Sequence, residues 1–213
     1  MQRARSHWKA LAAAAATGVI LSGVAVAMPA QAQQREKEIN FQMVRSAAAT
    51  NAGCLPNASA DVEVKSFGPV ERMRVRVKGL PANTEFDFFV IQVPNAPFGM
   101  SWYQGDIETD SHGRGTGVFV GRFNIETFIV APSPSAPAPV VHSQPTPDAT
   151  SNPPTGPVHT YHLGLWFNSP DDAAAAGCPN TVTPFNGEHN AGIQVLSTRD
   201  RADDQGPLRQ LEP

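Results

Sequence analysis

The sequence predicts an all-β fold: an antiparallel two-sheet sandwich with one short helix and a long Pro-rich loop. Three observations lead there. Short runs alternate apolar with polar residues, which places the apolar side chains on one face of a strand. Proline (20) and glycine (17) are frequent while charged residues make up 16%, so turns are plentiful and long helices are not. No strand–helix–strand rhythm appears, which argues for packed antiparallel sheets over a parallel one.

Residues 1–32 read as a signal peptide. Arg3, Arg5 and Lys9 open it, the run from Ala10 to Ala27 carries no charge, and Ala30-Gln31-Ala32 predicts cleavage before Gln33. The competing reading is a membrane anchor, but the run is Ala-rich, weakly hydrophobic and ended by Pro29. No other stretch is long and apolar enough to cross a bilayer, so no transmembrane segment is expected in the mature chain. No cysteine follows the cleavage point, which argues against a lipoprotein anchor. The expected location is secreted, extracellular. Three of the 16 cations lie in the leader, so the mature chain sets 13 cations against 19 acids, a formal charge near −6. That balance disfavours nucleic acid and anionic lipid as partners.

The two cysteines, Cys54 and Cys178, allow one pairing, and an oxidising compartment favours a disulfide. The rival, a reactive or metal-binding thiol, lacks a Cys-x-x-Cys spacing. Residues 33–58 begin polar and read as a flexible N-terminal segment ending at the pinned Cys54. Residues 59–198 read as the β domain.

Within it, Asp61, Glu63 and Lys65 alternate with Val62 and Val64. Arg72, Arg74, Arg76 and Lys78 then alternate with Met73, Val75 and Val77. Two such runs around Phe67-Gly68-Pro69 predict a hairpin with Glu63 opposite Arg74 and Asp61 opposite Arg76. The basic row reads as a solvated face with acidic neighbours, in preference to an anion site. Glu85 to Val93 is apolar on both faces through Phe86, Phe88, Phe89, Val90 and Ile91, which predicts a central strand. Further strands are predicted over 101–109 and 114–123, joined at Asp110-Ser111-His112-Gly113. An apolar run covers 125–130. Nine of the 26 residues from Pro132 to Pro157 are proline, so 132–157 is expected to be an exposed loop or spacer. A strand follows over His159 to Asn168. Then comes a short helix with Ser169 as N-cap, Pro170, Asp171 and Asp172 in its first turn, and Gly177 as its stop. A last strand covers 190–198, and the charged segment 199–213 reads as a disordered tail.

No nucleotide loop, zinc-peptidase helix or serine elbow is present. His159 and His162, three apart on a strand, point to opposite faces, so no metal site, catalytic residue or cofactor is assigned. His112 reads as part of a turn. Asp106, Glu108 and Glu126 supply acid pairs only if a fold gathers them. Trp102 and Tyr103 are the candidate binding residues, as an aromatic platform for a sugar ring or a partner, whereas Trp166 is expected in the core.

The runs V-K-G-L-P-A-N-T-E-F-D-F-F-V and G-D-I-E-T-D-S-H-G-R-G resemble strand-and-turn stretches of bacterial immunoglobulin-like modules. With S-W-Y-Q-G-D, H-T-Y-H-L-G-L-W-F and F-N-G-E-H-N-A-G, the whole resembles uncharacterised secreted proteins of actinobacteria. The resemblance implies an immunoglobulin-like sandwich and carries no activity with it. The functional expectation is an exported, non-catalytic binding or cell-envelope module, its partner a cell-wall glycan or protein. The alternative is a secreted hydrolase of wall polymers, with Asp106, Glu108, His162 and His189 as candidates if they converge on a cleft; the distances among these, His159 and Glu188 decide it.

Overall fold

The computed structural model describes residues 37–123, 125–127, 157–184 and 189–211. The proposed leader and residues 132–156 of the Pro-rich loop lie outside the described residues. The elements in chain order are β1 (Glu38–Arg45), α1 (Ala47–Asn51), β2 (Ser59–Phe67), β3 (Val70–Lys78), β4 (Glu85–Ile91), β5 (Ser101–Glu108) and β6 (Gly115–Gly121). They continue with β7 (Ile125–Thr127), β8 (Pro157–His159), β9 (His162–Phe167), α2 (Pro170–Ala175), β10 (Gln194–Ser197) and a 3-10 turn (Pro207–Leu211).

The chain is all-β and antiparallel. Eight strands form one continuous sheet in the order β5-β4-β9-β10-β1-β2-β3-β6. Continuity departs from two separately bonded sheets, and β1 is the reason. Its residues from Glu38 to Met43 pair with β2, whereas Val44 and Arg45 pair with β10. The two ends of the sheet approach each other: Thr109, just after β5, bridges to Gly115 of β6. The Phe88 and Phe119 rings stack at 5.0 Å, joining β4 to β6 and leaving a nearly closed, barrel-like sheet. Room for Phe119 comes from Gly117, where a Cβ would lie 2.6 Å from its ring.

Inward side chains follow the alternation. Ala60, Val62 and Val64 of β2, Met73, Val75 and Val77 of β3, Phe86, Phe88 and Val90 of β4, and Leu163, Leu165 and Phe167 of β9 form one buried cluster. Burying each large apolar side chain contributes about 1.5–3 kcal/mol. The predicted hairpin register is observed, with Glu63 opposite Arg74 and Asp61 opposite Arg76. β4 is central, between β5 and β9.

The disulfide joins Cys54 to Cys178 across 124 residues, with Cα atoms 5.4 Å apart. Closing so long a loop stabilises the fold by up to about 5 kcal/mol on the chain-entropy model. The bond ties the chain beyond α1 to the end of α2. Ser169 caps α2 by accepting from the Asp172 N–H at 3.1 Å.

Two expectations at the ends of the chain differ from the structure. The segment 33–58 was expected to be flexible, yet it holds β1 and α1; Ile39 and Met43 of β1 are buried. Its alternation is masked in sequence because Asn40 and Gln42, not charges, occupy the outer positions. The tail 199–213 was expected to be disordered, but Leu208 and Leu211 of the 3-10 turn are buried and the Leu208 N–H reaches the Tyr161 carbonyl at 3.2 Å. Two leucines suffice to anchor it because Gly206 permits close approach to Tyr161.

Candidate functional site

The outer face of β4, β5 and β9 gathers most of the chemistry. Register partners share a face, so Phe89 and Tyr103 lie together, as do Asp87 and Asp106, and Glu85 and Glu108. A bulge makes this possible: Phe88 pairs with Gly105 and Phe89 with Tyr103, leaving Gln104 as an extra residue on β5. Gly105 takes a φ of +137°, a region open to glycine alone. On β9, Trp166 lies across Gly164, where a Cβ would sit 2.3 Å from the indole. Phe89, Ile91, Trp166 and Ala191 form a second buried cluster with Phe98 packed on it. Trp166 meets Phe89 and Phe98 edge-on, at 5.3 and 5.0 Å.

Beside this cluster sits Asp87, fully buried, whose two carboxylate oxygens and the neighbouring Trp166 Nε1 have no hydrogen-bond partner among the described residues. His189 Nε2 lies 3.7 Å from Asp87 Oδ1, an ion-pair distance beyond hydrogen bonding. Burial pushes the Asp87 carboxyl up to about 6; His189 opposes this, and the Asp106 and Glu85 charges reinforce it. A side-chain hydrogen bond with Asp106 raises Glu85, with burial adding to the effect. The Tyr103 hydroxyl donates to Asp106 Oδ1. Its own ionisation is pushed up by burial and by that carboxylate.

The structure brings some of the sequence-selected residues together and separates others. Trp102 and Tyr103 are both exposed, at 45% and 43%, but project to opposite sides of β5: Tyr103 packs on Phe89, while Trp102 is registered with Val90. Asp106 and His189 converge on Asp87. Glu108 also lines an open groove of about 810 Å³ with Asp61, Arg76, Lys78, Asp110 and Arg114. His162 is buried elsewhere: its Nδ1 contacts Thr198 Oγ1 at 2.8 Å and its Nε2 faces the Ala202 and Asp203 carbonyls. His159 Nδ1 meets the Tyr161 hydroxyl at 2.9 Å. Asp110 accepts from the His112 and Arg114 N–H groups, so His112 belongs to a turn. Trp166 is 4% exposed and packed, as expected. The side chains of Glu126 and Glu188 lie outside the described residues.

Asp87 is the residue that sequence reasoning passed over. Its mark was present: a lone acid inside Glu85-Phe86-Asp87-Phe88-Phe89, on a strand apolar on both faces, has to be buried. No group of three or more His, Cys, Asp or Glu side chains among the described residues is arranged to hold a metal ion. Compared with protein-family models and with curated proteins, the chain matches none. The side chains themselves bring together the buried Asp87 carboxyl, raised to about 6, a phenol fixed on the neighbouring Asp106, and an aromatic floor. This set offers donors and acceptors to hydroxyl groups and a ring face to a sugar.

Proposed function

We propose that the protein is an exported, non-catalytic binding module that takes a polyhydroxylated ligand of the cell-wall glycan class on the outer face of β4 and β5. The observation that carries this reading is Tyr103. Its ring stays 43% exposed, and its hydroxyl is held on Asp106 beside the buried carboxyl of Asp87, which makes no hydrogen bond among the described residues. Export rests on the leader pattern and is consistent with the Cys54–Cys178 disulfide. No helix among the described residues is long and apolar enough to cross a membrane. We also propose that the two halves of the sheet layer as in an immunoglobulin-like sandwich, bridged by β1; the single core cluster drawn from both halves supports this.

Titrating the purified chain with soluble wall-glycan fragments tests the reading. Saturable binding is expected, with Tyr103→Ala and Asp106→Asn each weakening it about tenfold, the effect of losing an aromatic anchor or the carboxylate that holds it. Trp102→Ala, on the opposite side of β5, should cost less. No saturable binding to any wall glycan would end the proposal. The hydrolase alternative draws on Asp87, whose carboxyl titrates near 6, with Asp106 and His189 beside it. Full burial of Asp87 denies a scissile bond the access that an acid catalyst needs, so binding is the better reading. Release of shortened glycan by the wild-type chain but not by Asp87→Asn would reverse that choice. For export, N-terminal sequencing of protein from the culture medium should begin at Gln33.

A further inference from the structure

The outer face of the other half of the sheet carries a different set of groups. Strand register lines them up in rows from β2 to β6. Lys65, Arg72 and Val120 form one row, Glu63, Arg74 and Val118 the next, and Asp61, Arg76 and Thr116 the third. Arg72, Arg74 and Arg76 therefore stand in a column along β3, about 7 Å apart, from a rise of about 3.4 Å per residue. The sequence alone suggests that the acids of β2 neutralise this column. In the structure the acids stand opposite the arginines as expected, and Arg76 acts on Asp61 through its charge, but the ion pairs are made by the lysines. Glu63 and Glu38 are held by Lys65 Nζ at 3.5 and 3.1 Å, and Asp61 by Lys78 Nζ at 3.2 Å. None of the three arginines makes an ion pair among the described residues.

On their other side, β6 contributes no competing charge. It presents Val118 and Val120, 52% and 67% exposed, on the edge strand of the sheet. The face thus sets a line of guanidinium forks, none of them in a salt bridge among the described residues, beside an apolar shelf. Guanidinium matches a carboxylate through two parallel hydrogen bonds and sheds water more readily than ammonium does. The mature chain's net negative charge opposes long-range attraction, so the column acts at contact range. These are the requirements of a ligand that is extended, regularly charged and apolar along one side.

We propose that the β3–β6 face binds an extended anionic polysaccharide, with its carboxylates on Arg72, Arg74 and Arg76 and its sugar ring faces over Val118 and Val120. This surface is separate from the Tyr103 face and does not depend on it.

The test uses the mature chain and polygalacturonate as the probe, with dextran as a neutral polymer and long-chain polyphosphate as a non-glycan polyanion. Saturable binding of polygalacturonate is expected at low salt, weakening about tenfold or more toward 0.15 M. Dextran should show none. Combining Arg72→Gln, Arg74→Gln and Arg76→Gln should weaken binding at least about tenfold, the sum of three exposed charge contacts. Tyr103→Ala should leave it unchanged. Absence of polygalacturonate binding by the wild-type chain overturns the proposal whether or not the triple variant folds. So does an unchanged affinity in a folded triple variant, equal binding of dextran, or tighter binding of polyphosphate than of polygalacturonate.

Discussion

The two outer faces of this sheet treat their carboxylates in opposite ways. On β2, Asp61 is partly exposed, and its contacts with Gln42 and Lys78 hold its carboxyl below the usual range. On β4, Asp87 is buried, and loss of water pushes its carboxyl up to about 6. Both acids sit on outward positions of antiparallel strands, opposite partners set by register. The difference lies in what covers them. The face of β2 and β3 carries only its own charged side chains, whereas Phe89, Trp166 and Ala191 with Phe98 build a second apolar layer over β4 and β9. A strand's outer face is therefore solvent or interior according to its neighbours. The titration behaviour of an acid reports which it is.

The largest expected effect comes from removing that second layer. Trp166→Ala empties the floor of the β4–β9 face and should cost about 3–5 kcal/mol in urea unfolding. A loss below about 1 kcal/mol would mean that the outer cluster contributes little and that the contrast between the faces is superficial.

Next is Asp87. Its folded-state carboxyl lies above the unfolded value of 3.8, so its stabilising contribution is complete below about pH 3.8 and is lost as pH rises through about 6. The swing is on the order of 3 kcal/mol. The groups facing it are Glu85, Asp106, Tyr103 and His189. Across pH 4 to 8 the wild type should lose more stability as pH rises than Asp87→Asn does, the raised Glu85 carboxyl titrating in both. Parallel profiles for the two proteins would refute the burial argument.

Asp61 should show the reverse sign on a smaller scale. Its carboxyl is held below 3.8, so its contribution is present above that value and fades as pH falls through the folded-state value. At neutral pH, Asp61→Asn should lower stability by less than about 1 kcal/mol, as exposed ion pairs do. A larger loss in thermal melts would place Asp61 in a network beyond Gln42 and Lys78. The smallest effect is expected at Val118, where the proposed polysaccharide shelf serves the ligand rather than the fold. Val118→Thr should change stability by no more than about 0.5 kcal/mol in the same melts.

Much of the fold is legible in residue order. The strict alternation of 71–78 against 60–66 encodes the hairpin and its pairing, because a one-residue slip would bury four cations and expose Met73, Val75 and Val77. The cap at Ser169 and the count of two cysteines likewise depend only on neighbours or on arithmetic. β1 was harder to see because amides replace charges on its outer side, and the buried 3-10 turn at Pro207–Leu211 because two leucines in a polar tail carry no period.

The candidate sites divide in the same way. Alternation alone determined that Arg72, Arg74 and Arg76 share a face, since side-chain direction along a strand repeats every two residues. Only the tertiary structure decided that they make no salt bridge among the described residues, because Lys65 and Lys78 lie closest to the nearby acids. Nor does local sequence reveal that Trp102 and Tyr103 turn away from one another across β5, with Tyr103 registered to Phe89 past the extra residue Gln104, or that Asp106 and His189 meet at Asp87. Those relations hang on which strand lies beside β4 and on what folds over it. They join residues as far apart in sequence as Asp87 and His189, and the free energy that selects them resides in the assembled core, not in any one segment.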